Sequence, residues 1–414
     1  MSPPGLEAFA GLVRHQLDAV LPEAAELRRR IHQEPELSWQ EHRTSAAVSA
    51  ALAGHDGLAV VPASGTGLLV RAGRPGGPAI GLRAELDALP VAEQTGASFA
   101  SGNGAMHACG HDVHLAALVA VLRAFGRAAA LEPPPAALLG VFQPSEETSP
   151  SGAVAIAGSG SLQRHQVRAM LAVHVHPGVG WGSITTGAGA VNAGSDSFVL
   201  TVTGAGGHAA YPHHSRDPVL ALSQVIVALQ QVVSRRTDPM HPVVVSVCRL
   251  AAGSAANVIP AVAVAEGSVR VLLPEDRKDV LALIASVAEH AAAASGCQAR
   301  LDVTTGDPAL VNDAGLAAAA DQWLGRCGLT VTEPMRSCGS DDFAFYRDVA
   351  PSLMMFLGVG DASRTAQPGL HHAAFLPPEE AVGAVARAML AGFAAAAERA
   401  LAADSAGDGG TGRR

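Results

Sequence analysis

The sequence has little positive charge, few aromatic residues and few cysteines. Lys278 is its only lysine, and the formal net charge is −9. Because a nucleic-acid-binding protein needs clusters of Lys and Arg to neutralise phosphates, we expect no nucleic-acid partner. The three tryptophans are isolated along the chain, which favours packing over a stacking platform. Five cysteines in 414 residues do not form the disulfide framework of a small secreted domain, so we expect a reducing, cytoplasmic location.

We also expect the sequence to contain no apolar run of the kind that crosses a membrane. Its longest stretch without Asp, Glu, Lys or Arg, residues 169–195, is rich in glycine and contains His174 and His176. A bilayer-spanning helix needs about 20 mostly apolar residues, so we expect no membrane association. Residues 1–20 lack a basic region followed by an apolar one, so we expect no signal peptide.

Apolar residues are abundant, at 49% of the chain against 16% charged residues. This composition can build large cores and excludes a disordered protein, and the length predicts two or three domains. Apolar runs at residues 68–73, 79–86 and 137–144 predict strands. Residues 111–130 predict a buried helix, and residues 149–161 predict a glycine-rich loop. Alternating strands and helices predict a layered α/β sheet.

The order of the predicted elements changes between residues 193 and 307. There a strand, a helix, two strands, a helix and a strand follow one another, as in the split ferredoxin-like βαββαβ unit. The α/β rhythm returns afterwards. We therefore predict one α/β domain, built from residues 1–192 and 308–403, that the segment 193–307 interrupts. Residues 404–414 are predicted to be a disordered tail.

The densest cluster of reactive side chains is MHACGHDVH, residues 106–114. Cys109 and His111 are two residues apart in a predicted loop, so both side chains can face one ion. A thiolate and an imidazole suit Zn²⁺ and its first-row neighbours. The alternative is a histidine-rich surface loop.

Three further groups lie at or near the ends of predicted elements. The carboxylates of Glu146 and Glu147 follow one strand, His174 ends the next, and His371 follows a Gly-Leu step near the carboxyl terminus. Open α/β sheets bind their ligands at the carboxyl ends of strands. Each group alone has an ordinary explanation, such as a solvated acidic pair, but together they predict a metal site.

Two polar residues stand out inside the interrupting segment. His208 follows a glycine run, where the backbone can approach a ligand closely, and Asn257 precedes a predicted strand. Neither has enough neighbours to hold a metal. Two alternatives stay open for them: substrate binding or oxyanion stabilisation, or an ordinary loop position.

Nine segments occur in the order and spacing of one known family, over about residues 20 to 400: RAELDALPV, MHACGHDVHLAAL, FQPSEE, HVHP, GAGGHAAYPHHSRDP, NVIP, GSVR, GSDDFAFY and GLHHAAF. The sequence resembles the aminoacylase/carboxypeptidase metallopeptidase family, in particular its amidohydrolase branch, which includes hippurate hydrolase, auxin-conjugate hydrolases and N-acyl-L-amino-acid amidohydrolases. The resemblance implies a catalytic α/β domain interrupted by a lid domain that mediates homodimerisation. It also implies two divalent metal ions, Zn²⁺ or Mn²⁺ with Co²⁺ or Ni²⁺ as alternatives, and a small-molecule N-acyl amino acid substrate.

The resemblance further implies roles for individual residues. Five would bind the metal ions, the first of them as a bridge between the two: Cys109, His111, Glu147, His174 and His371. Glu146 would act as the general base, and Asp87 would support the site from behind the ligands. His208 would stabilise the oxyanion, reaching into the active site of a second copy. Asn257 and Arg270 would line the pocket for the substrate carboxylate.

The sequence departs from the family's pattern at several positions. Glu85 stands where the branch commonly has Asp, and Asp341 stands where it has Glu, so the outer geometry of the site and the substrate preference are open. His372 is an alternative to His371, because the segment departs from the usual pattern after its first histidine. None of these departures removes a predicted metal ligand.

Together these observations predict a metal-dependent hydrolase that splits the amide bond of N-acyl or aryl-acyl amino acids into a carboxylate and a free amino acid. A dipeptidase, a carboxypeptidase or a diaminopimelate-type deacylase is the alternative within the family. Outside it, the alternatives are a non-catalytic protein that binds such conjugates and a metal-independent structural protein. Glu146 argues against the binding protein, which needs no general base.

Overall fold

The computed structural model describes residues 5–55, 57–361 and 367–408. The chain divides into two compact units. Unit 1 comprises Met1–Gly189, Val311–Met335 and Phe345–Arg414, and unit 2 comprises Ala190–Leu310 and Arg336–Ala344. Unit 2 thus includes a short second piece, residues 336–344, that lies outside the segment 193–307 delimited from the sequence.

The described residues form nine α-helices: α1 (Leu6–Gln33), α2 (His42–Leu52), α3 (His111–Leu131), α4 (Gly152–Gly158), α5 (Ser161–Arg164), α6 (Pro218–Gln231), α7 (Arg277–Ala293), α8 (Ala314–Arg326) and α9 (Ala381–Asp408). They also form sixteen β-strands: β1 (Leu58–Ala63), β2 (Gly67–Ala72), β3 (Ala79–Glu85), β4 (Ala137–Gln143), β5 (Val167–Gly180), β6 (Ser183–Thr185), β7 (Gly189–Asn192), β8 (Gly194–Thr203), β9 (Gly207–His208), β10 (Val243–Ala252), β11 (Val258–Ile259), β12 (Val262–Val271), β13 (Gln298–Thr305), β14 (Leu310–Asn312), β15 (Thr330–Val331) and β16 (Ser352–Gly360).

Unit 1 is built around an eight-stranded sheet with the order β1-β2-β4-β3-β5-β16-β6-β15. The neighbouring strands β4, β3, β5 and β16 run parallel. β3 and β4 are buried along their whole length, as expected for parallel strands that are covered on both faces. α1, α3 and α9 contribute to the same hydrophobic core as this sheet. The α/β class predicted from the sequence is confirmed.

The parallel strands of unit 1 share a carboxyl edge, and this edge positions the side chains of interest. Glu85 at the end of β3 pairs with Gln143 at the end of β4. His174 lies on β5, which pairs with β3 on its other side. The loops that follow β3 and β4 carry Asp87 and the pair Glu146–Glu147. Strand pairing therefore brings these three chain segments to one place.

Unit 2 contains a four-stranded antiparallel sheet with the order β10-β12-β8-β13. Along the chain, β8, α6, β10, β12, α7 and β13 follow one another in the order predicted from the sequence. α6 begins at Pro218, and the carboxylate of Asp217 caps it by accepting the N–H of Val219 at 2.8 Å. Both helices and the sheet contribute to a second hydrophobic core.

Two segments differ from the sequence-based expectation. The loop predicted over residues 149–161 contains α4, because the hydroxyl of Ser151 accepts the N–H of Val154 at 3.2 Å and so caps a helix. The tail predicted to be disordered from residue 404 is helical as far as Asp408, since the alanine-rich run before it favours a helix. Residues 409–414 lie outside the described residues.

Three helical segments are long and apolar enough to cross a membrane by length and composition alone: His111–Leu131, Pro218–Arg236 and Ala381–Asp404. The longest charge-free stretch of the sequence, residues 169–195, overlaps none of them, because charged residues interrupt the first and third and end the second. The apolar windows of the first and third are 83% and 89% buried inside the protein, whereas that of the second is 33% buried. The core of unit 1 therefore accounts for the apolar character of α3 and α9.

We predict that Gly110→Ala destabilises the protein. Gly110 precedes α3 with a φ of +86°, and a β-carbon there lies 2.4 Å from Cγ2 of the buried Val175. The left-handed backbone and the overlap with a stiff side chain together lower the free energy of unfolding by about 2–4 kcal/mol. Chemical denaturation measures the change. The control is Gly102→Ala, where a β-carbon meets no described atom within 4 Å; equal stability of the two variants contradicts the prediction.

Candidate metal centre

Side chains from four chain segments meet at the carboxyl edge of the unit 1 sheet. They are all five residues implied as metal ligands: Cys109, His111, Glu147, His174 and His371. Cys109 and His111 flank Gly110 at the start of α3, and Glu147 follows β4. His174 lies on β5, and His371 lies in the loop before α9.

The donor atoms fall into two groups that share the Cys109 thiol. The ligand atoms of Cys109, His111 and His174 lie within 4.8 Å of one another, and so do those of Cys109, Glu147 and His371. Sγ of Cys109 is 3.5 Å from Nε2 of His174, and Nε2 of His371 is 3.5 Å from Oε1 of Glu147. Ligands placed about 2.0–2.3 Å from one tetrahedral ion lie roughly 3–4 Å apart. The arrangement therefore suits two ions with a common thiolate.

The hydrogen bonds of the buried His111 and His174 rings leave the Nε2 lone pair of each ring available to a metal ion. Nδ1 of His111 lies 2.8 Å from the backbone oxygen of Asp87, and Nδ1 of His174 lies 2.7 Å from that of Val175. Because a carbonyl oxygen only accepts, each Nδ1 donates and each Nε2 is available to a metal. Among the described residues, the buried Nε2 of His111 has no hydrogen-bond partner, as expected of a ligand atom.

The electrostatics of the site favour positive charge. Burial lowers the pKa of His111, but the carboxylates of Glu85, Asp87 and Glu147 outweigh burial and raise that pKa to about 10. Burial lowers the pKa of the other two histidines of the cluster, so both rings are neutral near pH 7. A divalent cation can take the place of the proton that the carboxylates stabilise on His111.

Glu85 and His114 form a layer of contacts behind His174. Nδ1 of His114 donates to Oε2 of Glu85 at 2.9 Å, and its Nε2 accepts the N–H of Val175 at 3.0 Å. Burial raises the pKa of the Glu85 carboxyl, but Arg83 and neighbouring imidazoles hold it well below its usual value. The glutamate, one methylene longer than the Asp expected there, thus helps to fix the strand that carries His174.

Asp87 connects the two chain segments that carry His111 and Glu147. Its backbone oxygen accepts from His111, and its Oδ2 accepts the N–H of Glu147 at 2.9 Å and the hydroxyl of Ser38 at 2.7 Å. Burial raises the pKa of Asp87, but His111 and these hydrogen bonds lower it overall. Asp87 is therefore an anionic group that contacts the ligands rather than one of the five.

Glu146 lies beside the cluster, with Oε2 3.8 Å from Nε2 of His111 and 11% of the side chain exposed. The ligand atoms of His111, Glu146 and Glu147 also lie within 4.8 Å of one another. Geometry alone therefore admits either carboxylate as a ligand. The other carboxylate of the pair would lie beside the ligand atoms and reach solvent with part of its side chain.

The structure separates His371 from its neighbour. Nε2 of His371 faces Glu147, whereas Nδ1 of His372 accepts the N–H of Ala374 at 3.1 Å and so completes a local turn. His371 has a φ of +64°, an uncommon backbone conformation for a side-chain-bearing residue. Of the two candidates, His371 is the one that joins the cluster.

The remaining predicted site residues lie in unit 2. His208 is on β9, which pairs with β11, and Asn257 directly precedes β11. Nδ1 of the exposed His208 accepts the N–H of Ala210 at 3.1 Å, which leaves Nε2 as the ring atom that can donate. Arg270 on β12 and the buried Asp341 belong to the same unit. Unit 2 thus holds every residue implied in substrate binding.

Two supporting residues were not assigned from the sequence. His114 is three positions from His111 on α3, hence on the same helix face, and this spacing is a signal that could identify it. Ser38 has no such signal, because its hydrogen bond to Asp87 spans 49 positions.

We predict that the protein binds two equivalents of Zn²⁺ or Co²⁺ and that Cys109→Ser lowers this number, because both groups of donor atoms lose their shared soft ligand. The Co²⁺-loaded wild type should show thiolate-to-metal charge-transfer absorption that the variant lacks. Elemental analysis and absorption spectra measure both effects. Cys248→Ser in unit 2 is the control; equal spectra for the two variants exclude Cys109 as a ligand.

Comparisons with known proteins agree on one family. The model of peptidase family M20/M25/M40 matches residues 81–396. N-acetyl-L-cysteine deacetylase of Bacillus subtilis is 36% identical over 364 residues, which cover 86% of this chain and 84% of that protein. N-acetyldiaminopimelate deacetylase of Bacillus licheniformis is 33% identical over 381 residues, which cover 91% and 99%.

A solved structure supports the same assignment. A Bacillus subtilis protein described as a dinuclear metal binding peptidase of the M20 family has a TM-score of 0.77 and 32% identity, with 91% of this chain and 98% of that chain covered. The two groups of donor atoms described above likewise suit two divalent ions. The family resemblance seen in the sequence is confirmed. The chain belongs to peptidase family M20/M25/M40 and is a metal-dependent amide hydrolase.

Proposed function

We propose that the protein hydrolyses N-acyl amino acids, with acetyl or aryl-acyl groups, to a carboxylate and a free amino acid. The observation that carries this proposal is the carboxylate of Glu146 beside two groups of metal-ligating atoms that share Cys109. The deacetylase names of two relatives support an N-acylated amino acid as the substrate. A diaminopimelate-type deacylase is a second candidate, which one of those relatives favours.

Glu146 is proposed as the group that moves the proton. When bound, divalent cations at this site supply Lewis-acid polarisation of the scissile carbonyl and lower the pKa of water. The Glu146 carboxylate takes a proton from the attacking water and returns it to the leaving nitrogen. Its position 3.8 Å from Nε2 of His111 supports this role.

The residues of unit 2 are proposed to bind the substrate. The Nε2–H of His208 would donate to the oxyanion of the tetrahedral intermediate, and the hydrogen bond at Nδ1 supports this tautomer. Asn257 and Arg270 would bind the substrate carboxylate, for which a guanidinium offers two parallel N–H groups.

A homodimer formed through unit 2 is part of the proposal. On α6, Val227 is 73% exposed and Leu220 is 54% exposed. β10 lies at an edge of the unit 2 sheet. Exposed apolar side chains and an open sheet edge both favour pairing with a second copy.

Zn²⁺ or Mn²⁺ is proposed as the metal in the cell, with Co²⁺ and Ni²⁺ as alternatives, since imidazole and thiolate ligands accept several first-row ions. A cytoplasmic location is proposed as well. It is supported by the five cysteines, which form no disulfide bond among the described residues.

We predict that the metal-loaded enzyme releases amino acid from at least one of four substrates: hippurate and N-acetyl, long-chain acyl and indole-acetyl amino acids. Glu146→Gln should lower this rate by about 10²–10⁴-fold while two metal equivalents remain bound, because only proton transfer is lost. A ninhydrin-type assay and elemental analysis measure the two effects. Faster cleavage of dipeptides would favour a dipeptidase, and no release from any substrate would favour a conjugate-binding protein.

We predict that His208→Ala and Glu146→Gln complement each other in mixed dimers. If His208 serves the partner's site, unfolding and refolding an equal mixture should restore about a quarter of wild-type activity, since half of the dimers are mixed and each has one intact site. Each variant treated alone is the control. Activity no higher than that of the two variants alone contradicts a shared site.

A further inference from the structure

A short segment between α1 and α2 reaches the loop that carries Glu146. The segment, residues 38–41, lies outside residues 81–396, which match the family model. Its last residue, Glu41, is fully buried. A buried carboxylate is costly unless several donors satisfy it, so its partners indicate what it holds in place.

Glu41 binds three donors from three chain segments. Its Oε1 accepts the N–H of Ser145 at 2.9 Å and the N–H of Trp39 at 2.8 Å. Its Oε2 accepts the hydroxyl of Thr66 at 2.6 Å. Buried hydrogen bonds are costly to break, so Glu41 ties the start of the Glu146 loop to the start of α2 and to the turn before β2.

The backbone N–H groups of the residues before and after Glu146 are both held by buried carboxylates. The N–H of Ser145 donates to Oε1 of Glu41, and the N–H of Glu147 donates to Oδ2 of Asp87, both at 2.9 Å. Asp87 is in turn held by the hydroxyl of Ser38 at 2.7 Å. Residues 38–41 therefore hold the backbone on both sides of Glu146, directly through Glu41 and indirectly through Ser38 and Asp87.

The backbone at Ser145 needs such support. Its φ is +46°, in the left-handed region that residues other than glycine seldom adopt. Conformations of this kind persist where surrounding contacts over-determine them. The carbonyl of Ser145 also accepts the N–H of Gly152 at 2.9 Å, and Nε1 of Trp39 donates to the oxygen of Pro150 at 2.9 Å. The loop is thus fixed at four points, two of them from residues 38–41.

We infer that Glu41 is a positioning residue that aims the Glu146 carboxylate at the attacking water. This inference rests on the proposed role of Glu146. Glu41 itself contacts neither the metal-ligating atoms nor Glu146 in the contacts described above, so its loss should change the rate and leave metal binding intact. A displacement of about 1 Å in a reacting group is enough to lower a rate by about 10²-fold.

The test compares Glu41→Ala with Glu36→Ala. Glu36 is a matched control because it is a half-buried glutamate in the same connection, and it accepts the N–H of Thr44 at 2.8 Å on α2 without touching the Glu146 loop. In Glu41→Ala, kcat should fall by about 10- to 100-fold, with KM within about twofold and two metal equivalents bound. In Glu36→Ala, kcat should stay at the wild-type value even if thermal stability falls.

Conservative variants separate positioning from folding. Glu41→Gln keeps an oxygen that can accept from Ser145 and should recover most of kcat, whereas Glu41→Asp is too short to reach both Ser145 and Thr66 and should not. If Glu41→Ala does not fold, the kcat of Glu41→Asp is the deciding measurement. A folded Glu41→Asp with wild-type kcat overturns the inference.

Hydrogen exchange gives a readout that does not depend on the substrate. The peptide covering residues 143–150 should exchange faster in Glu41→Ala, or in Glu41→Asp, than in Glu36→Ala. Unchanged exchange overturns the inference even when the enzyme is active. Wild-type protein that cleaves no N-acyl amino acid overturns the proposed function instead, and the exchange result then still decides whether Glu41 fixes the loop.

Discussion

The carboxylates buried at the carboxyl edge of the unit 1 sheet need positive charge, and the site is arranged around that need. Glu85, Asp87 and Glu147 raise the pKa of His111 to about 10 despite burial. Metal ions would meet the same need, and the Nε2 lone pairs of His111 and His174 would bind them, since Nδ1 of each ring donates to a backbone carbonyl. The anionic edge thus explains both the ligand set and the hydrogen bonds behind it.

Two residues next to the predicted ligands and Glu146 have a backbone with positive φ. Gly110, between two ligands, has a φ of +86°, and a β-carbon there would collide with Val175. Ser145, just before Glu146, has a φ of +46°. Glycine relieves the first conformation by lacking a side chain, whereas buried hydrogen bonds, including that of Glu41, hold the second. The absence of a side chain at Gly110 and the buried hydrogen bonds at Ser145 therefore both fix residues that would surround the ions.

In the proposed function, the two units divide the chemistry between them. Unit 1 has a parallel sheet whose strand ends converge, which suits a compact ion site. Unit 2 has an antiparallel sheet and contains His208, Asn257 and Arg270, which can donate hydrogen bonds to an oxyanion or a carboxylate. A hydrolase of charged, flexible conjugates needs both kinds of group, because cleavage and recognition of the free carboxylate are separate tasks.

The sequence by itself determined the family, the α/β class and which side chains gather at the edge, because metal ligands come from few residue types in short motifs. It did not reveal the helix α4, although the Ser151 cap that begins this helix is local. It left His371 and His372 as alternatives and did not reveal the contacts of Glu41, because these depend on tertiary structure: the bond from Ser145 to Glu41 spans 104 positions. Local sequence patterns therefore predict which residue types form the site. Contacts between distant segments decide which of two adjacent residues, such as His371 and His372, faces the site and which residues hold it in position.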